Sequence, residues 1–127
     1  MSEASSPIET ADALILAYRA GQRSFANLSL SSVDLSRADL KGADLSYADF
    51  SEANLSGANL RGADLSYAAL GETNFTGADL RGAMLIGTDL RNAVLADTLL
   101  QGADYDPDET HFPNGFDIKA AEMRPDR

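Results

Sequence analysis

The stretch that decides the fold is residues 44–63, DLSYADFSEANLSGANLRGA, followed at once by residues 64–83, DLSYAALGETNFTGADLRGA. The two segments match at 13 of 20 positions, so the chain repeats itself every twenty residues. A shorter period runs inside the longer one. A large apolar residue falls on every fifth position: Phe25, Leu30, Leu35, Leu40, Leu45, Phe50, Leu55, Leu60, Leu65, Leu70, Phe75, Leu80, Leu85, Leu90, Leu95 and Leu100, then Tyr105. Two residues before each stands something small, usually Ala, as at Ala43, Ala63 and Ala83. A period of five fits neither an α-helix, at 3.6, nor a strand, at 2.0. It fits a chain that turns a corner every five residues and points two side chains of each five inward. Four such sides make a square coil of twenty residues that stacks on itself. Gly42, Gly62, Gly82 and Gly102 recur at one corner, two residues after the central Leu, where a tight turn calls for positive φ.

These residues resemble the pentapeptide-repeat family, and the five-residue frame holds from residue 25 to residue 105. The resemblance implies an all-β solenoid, a right-handed quadrilateral β-helix of about four coils. It places the central Leu or Phe and the small residue two before it in the interior. The core it implies includes Phe25, Leu40, Leu45, Phe50, Leu55, Leu60, Leu65, Phe75 and Leu80. At a β spacing of about 4.8 Å, four coils make a rod roughly 20 Å long. Phe25, Phe50 and Phe75 fall on three different sides, so none has to stack directly on another, which avoids overpacking.

The chain thus divides into an N-terminal segment, 1–24, the repeat, 25–105, and a C-terminal tail, 106–127. Both ends of a solenoid need covers, because bare sheet ends are aggregation edges. Ser6-Pro7-Ile8-Glu9 reads as a capping box with Pro at the first helical position, which predicts a capping α-helix over about 7–20. Ala11, Leu14, Ile15 and Tyr18 give that helix an apolar face, and Gly21 stops it. The tail leaves the repeat at Asp106-Pro107 and is predicted to be an irregular cap. Its segment Thr110-His111-Phe112-Pro113-Asn114-Gly115-Phe116-Asp117 resembles a tail found after the repeats in cyanobacterial members of the family, which implies a cyanobacterial-type member. Outward positions turn apolar near the end of the repeat, at Met84, Ile86, Val94, Ala96 and Leu99, while the tail carries Phe112, Phe116, Ile118 and Met123. That pairing predicts a tail folded over the open end and over part of the outer surface.

Composition removes most chemistry. The chain has 127 residues, enough for one domain, with 20 acids against 10 bases and a formal charge of −10. Such a balance argues against direct nucleic-acid binding, which needs a basic footprint. The absence of cysteine removes disulfides, thiol catalysis and Cys-ligated metals. Residues 1–7 lack the pattern of a signal peptide and no run approaches 18 apolar residues, so a soluble cytoplasmic protein with no membrane role is expected. The lone histidine, His111, has no partner for catalysis or metal binding, and the serines of the repeat occupy outward turns with no base to activate them. Carboxylates such as Asp44, Asp64 and Asp79 are distributed around the coil rather than converging as Ca²⁺ ligands do. No catalytic, cofactor or metal residues are assigned, and an enzyme is not expected.

Function must then lie on the surface. Lys41, Arg61 and Arg81 stack at one outward position, followed by Gln101, with Asp39, Asn59 and Asp79 beside them. Tyr47 and Tyr67 stack at a corner of the next side. Arg and Tyr are residues that binding faces favour, so these five form the candidate interaction face. The reading is a non-catalytic protein-interaction or regulatory module with an unidentified protein partner, working as a monomer in preference to an end-to-end dimer. Two alternatives stand beside it. One is a DNA mimic acting on DNA gyrase, which some members of the family are; within 25–105, however, 11 acids are interleaved with 5 bases, and Met84 interrupts the column Asp44, Asp64, Asp104. The other is a stable scaffold with no dedicated partner.

Overall fold

A computed structural model of the protein describes residues 7–126. From Ser24 to Met84 the chain advances in five-residue steps bridged in parallel to the step twenty residues later. Ser24 faces Asp44, Asp44 faces Asp64, Asp64 faces Met84, and Met84 faces Asp104. This first side is centred on Phe25, Leu45, Leu65 and Leu85. The second is centred on Leu30, Phe50, Leu70 and Leu90, the third on Leu35, Leu55, Phe75 and Leu95, and the fourth on Leu40, Leu60, Leu80 and Leu100. The Leu40 N–H donates to the Asn59 carbonyl at 2.9 Å, and the Asn59 N–H donates back to the Ala38 carbonyl at 2.9 Å. Each side repeats that exchange, so every coil templates the next.

Between sides the chain turns through an i to i+3 bond, such as the Ala63 N–H to the Leu60 carbonyl at 3.0 Å. The third residue of each turn has positive φ. Glycine serves at Gly42, Gly57, Gly62, Gly77, Gly82, Gly87 and Gly102. Asn27, Ser32, Arg37, Tyr47, Glu52, Tyr67, Glu72, Asn92 and Asp97 adopt the same conformation, with φ between 56 and 69°. For residues with a Cβ the left-handed region costs about 1–2 kcal/mol each. The cost is offset locally, because the corner N–H keeps its ladder bond; Arg37, for example, donates to the Ser56 carbonyl at 2.8 Å.

The axis is filled as the five-residue frame requires. Leu40, Leu45, Phe50, Leu55, Leu60, Leu65, Phe75 and Leu80 are fully buried, and Phe25 is nearly so. Ala43, Ala63, Ala78 and Ala83 line the wall beside them without exposure. Where Thr replaces Ala, its hydroxyl is satisfied within the wall: Thr73 donates to the Phe50 carbonyl and Thr98 to the Phe75 carbonyl, both at 2.8 Å. No buried side-chain polar atom among the described residues lacks a partner.

The N-terminal helix, α1 (Ala11–Arg19), starts later than the sequence predicts. Ser6 lies outside the described residues, and Pro7 precedes the helix rather than opening it. The cap is Thr10, whose hydroxyl accepts from the Ala13 N–H at 3.1 Å. Ile8 packs half-buried against the core from ahead of the helix, and the helix begins where the Thr10 side chain closes its first turn. Leu14 enters the core with no exposure, and the Tyr18 hydroxyl donates to the Lys41 carbonyl at 2.7 Å. Gly21, at φ 104°, ends the helix.

Past Tyr105 the ladder continues. His111 bridges Asp89, two residues beyond the regular register, and the strand β1 (Asp104–Tyr105) pairs in parallel with β2 (Arg124–Pro125) at the regular spacing of twenty. Between them lies α2 (Ile118–Ala121). Phe112 and Phe116 stack at 5.1 Å, Tyr105 meets Phe112 edge-on at 5.7 Å, and Met123 joins the core. Thr110 is buried and donates to the Leu85 carbonyl at 2.8 Å. The outer apolar positions are mostly left uncovered, Ile86 alone among the large ones being half-buried, which corrects that part of the sequence reading. Met84, Val94 and Leu99 remain 40%, 46% and 39% exposed. The reason is geometric: the bare axis offers the tail a continuous apolar floor, whereas Met84, Val94 and Leu99 point outward from three different sides.

Leu60 sits between Leu40 and Leu80 and is fully buried. Leu60→Ala is expected to cost about 2–5 kcal/mol through lost burial and a residual cavity. Leu60→Asp is expected to prevent folding, since the axis offers a carboxylate no partner. Denaturant titration checks both, and a change within about 0.5 kcal/mol for either would contradict the packing described.

Candidate interaction face

The basic ladder is assembled by the backbone. The Gly42 N–H donates to the Arg61 carbonyl at 2.9 Å, and the Gly62 N–H donates to the Arg81 carbonyl at 3.0 Å. Lys41, Arg61 and Arg81 therefore stand one above another at the corner between the fourth and first sides. Their charges are compensated unequally. Arg81 forms a bidentate pair with Asp79, Nε to Oδ1 at 2.9 Å and Nη2 to Oδ2 at 2.7 Å. Arg61 stands beside Asn59, which takes the Arg61 backbone N–H at 3.2 Å and offers no charge. Hydrogen bonding from Arg81 holds the Asp79 carboxyl below its ordinary value, with a smaller contribution from the Arg61 charge one coil away.

Tyr47 and Tyr67 stack with ring centroids 5.2 Å apart and an interplanar angle of 14°. They occupy the corner between the first and second sides and are 58% and 46% exposed, so the stack is a surface feature. The next residue in that column is Gly87, and a Cβ there would collide with the Tyr67 ring. Glycine at 87 thus lets Tyr67 lie flat along the coil below. The Tyr67 hydroxyl is pushed above its ordinary pKa, chiefly by the negative charge of Glu109, then by burial, Tyr47, Asp106 and Asp126.

The two ladders border the same side. Between them run Asp44, Asp64 and Met84, with Ser46, Ser66 and Ile86 after the central leucines. All five residues singled out in the sequence are brought to the two edges of this first side. The sequence reading missed Gly87, whose role as a seat for Tyr67 has no signature apart from its place in the column. It also gave the repeat carboxylates no structural part. Most of the aspartates close a corner, accepting the backbone N–H two residues on, as Asp44 does from Ser46 at 3.0 Å and Asp64 from Ser66 at 2.9 Å. Asp89 is the most perturbed: hydrogen bonds from the Arg91 side chain bring it down to about 2 against the opposing effect of burial. Among the described residues no group of three His, Cys, Asp or Glu is placed to hold a metal ion, and no helix is long and apolar enough to cross a membrane.

Comparison with known proteins places this geometry. The Pentapeptide repeats family profile matches residues 24–62 and 58–97, with eight copies of the repeat. The chain belongs to the pentapeptide repeat family. It is 48% identical to a pentapeptide repeat protein from Nostoc Pcc 7120, covering 96% of this chain and 100% of that one, and the structures agree with a TM-score of 0.93. Pentapeptide repeat proteins are right-handed quadrilateral β-helices, and this chain is one. HetL, a pentapeptide repeat protein involved in heterocyst differentiation regulation in Nostoc sp. strain PCC 7120, is 36% identical over 75% of this chain and 44% of its own, with a TM-score of 0.40. A pentapeptide repeat protein of the Arabidopsis thaliana thylakoid lumen is 27% identical over 70% of each chain, with a TM-score of 0.46. No curated protein matches this chain.

Two predictions follow from the corner chemistry. Gly82 and Gly87 share nearly the same φ, 70° and 69°, but only at Gly87 would a methyl meet Tyr67. Gly82→Ala and Gly87→Ala should each lose about 1 kcal/mol to backbone strain, while only Gly87→Ala alters the near-ultraviolet circular dichroism of the tyrosine stack. The second concerns acid. Because folding lowers the Asp89 carboxyl from 3.8 to about 2, the unfolded chain binds more protons between those values. This contribution is present above about pH 4 and is lost as pH falls through about 2, so Asp89→Asn should flatten part of the acid decline in denaturation midpoint.

Proposed function

We propose that the protein is a non-catalytic interaction module of the cytoplasm that presents its first side to a protein partner. The observation that carries this reading is the convergence of the basic ladder, Lys41, Arg61 and Arg81, and the tyrosine stack, Tyr47 and Tyr67, on the two edges of one flat side. Four coils make the rod, α1 closes one end, and the tail closes the other. Covers at both ends shorten the sheet edge open to end-to-end pairing, which favours a monomer and directs recognition to a lateral side. A rigid, pre-formed side loses little conformational freedom on binding, and exposed Arg and Tyr supply contact area with polar handles. The partner fitting this side carries acidic groups toward Lys41 and Arg61, with flat apolar or aromatic groups toward the tyrosines.

The DNA-mimic reading draws on the net charge of −10. Against it, the first side is edged by three basic residues, and Met84 replaces a carboxylate midway along it. Both readings are tested with Lys41→Glu/Arg61→Glu/Arg81→Glu. The fold should survive, because exposed charge pairs contribute about 0–1 kcal/mol each. Affinity capture with the parent chain should recover a protein that the triple variant loses. Equal recovery by both would refute the role given to the basic edge, and inhibition of gyrase supercoiling by the more acidic variant would favour mimicry.

A further inference from the structure

The protein has half as many basic residues as acidic ones, yet Arg19, Arg23 and Arg37 line a single open groove of about 530 Å³ where α1 meets the repeat. The groove opens at Arg37, on the corner between the third and fourth sides, and reaches back to Arg23, at the start of the first side. None of the three arginines forms an ion pair among the described residues, whereas Arg81, Arg91 and Arg124 each do. Asp39, the one acid in the lining, takes the Lys41 backbone N–H on its Oδ1 at 3.3 Å. Three guanidiniums therefore face one carboxylate.

Arg23 is also pre-organised. Its Nη1 donates to the Tyr18 carbonyl at 2.8 Å and to the Gln22 carbonyl at 2.9 Å, and its guanidinium carbon lies 3.7 Å from the centre of the Tyr18 ring. Its Nε and Nη2 have no acceptor among the described residues, so three of its five N–H donors remain available. Like charges gathered without counter-charges repel one another, and an anion relieves that repulsion. Planar arginine forks pair with two oxygens each, so three of them suit an anion with three terminal oxygens better than a carboxylate with two. Ile15 and Ala38 give the groove an apolar side for the remainder of a ligand. We propose that this groove binds the dianion of a phosphate monoester, through Arg19, Arg23 and Arg37.

The site goes beyond the protein-binding side and can succeed or fail independently of it. The test is a titration of the ¹⁵N-labelled full chain with phenyl phosphate at low salt, following the arginine Nε–H signals. Saturable shifts are expected at Arg19, Arg23 and Arg37, weakening as salt is raised. Arg19→Gln/Arg37→Gln, which spares the hydrogen-bonded Arg23, should bind at least about tenfold more weakly with an unchanged melting temperature. Arg61→Gln/Arg81→Gln should bind within about twofold of the parent. Absence of saturation, equal shifts at Arg61 and Arg81, or equal affinity for acetate would overturn the proposal. A phosphoserine peptide without other acidic residues distinguishes the source of the phosphate. Tighter binding than phenyl phosphate, lost in the Arg19/Arg37 variant, assigns it to a protein; equal or weaker binding assigns it to a small molecule.

Discussion

The structure depends on one constraint, the register of twenty that ties each coil to the next. On every side a central N–H reaches the residue nineteen positions on, and the flanking N–H reaches back by twenty-one, as between Leu40, Asn59 and Ala38. These bonds close only if each side contributes five residues and each coil four sides. The inward Leu, the wall Ala and the positive-φ corner are consequences. A side chain that fits the axis in one coil has its counterpart directly above and below, so core layers and surface ladders are both products of the same register. α1 and the tail meet the axis where that templating begins and ends.

The five-residue frame made the core legible without coordinates, because the periodicity of Leu and Phe can be satisfied by no other regular conformation. The corners were only partly legible. Seven of them carry glycine, but Arg37, Tyr47 and Tyr67 adopt the same left-handed backbone, and nothing in those side chains announces it. The ladder imposes that conformation from outside the residue. The helix start was misplaced because a capping-box pattern at Ser6 competes with a single good cap at Thr10, whose side chain takes the Ala13 N–H and sets the first turn. The tail was legible as apolar chain in need of cover. Its return to the ladder at His111 and Arg124 was not, since no five-residue word survives there.

The candidate face was visible as two separate columns. That they edge one side follows from the separation of six positions from Lys41 to Tyr47, which is one side plus one step of the turn. The acidic residues of the repeat were the least legible. Their spread around the coil spoke only against Ca²⁺ binding, whereas Asp44, Asp64, Asp79 and Asp89 each close a corner by accepting a backbone N–H. An Asn does this equally well at Asn54, Asn59 and Asn74, so the geometry of the corner requires an oxygen and not a charge. The negative charge of the repeat is therefore adjustable without disturbing the fold.

The placement of the three aromatic core residues constrains how such a chain changes length. Loss of a whole coil leaves every later residue on its own side. Loss of one pentapeptide between Phe50 and Phe75 preserves the five-residue frame, yet turns everything downstream through a quarter revolution. Phe75 would then stand directly over Phe50 in the axis, where two adjoining layers have room for leucine, and its side would be swollen by the extra volume. The basic column would be broken at the same stroke, with Arg81 carried to a different corner from Lys41. Twenty residues is thus the indivisible unit of growth and loss for this chain, although its sequence is written in fives.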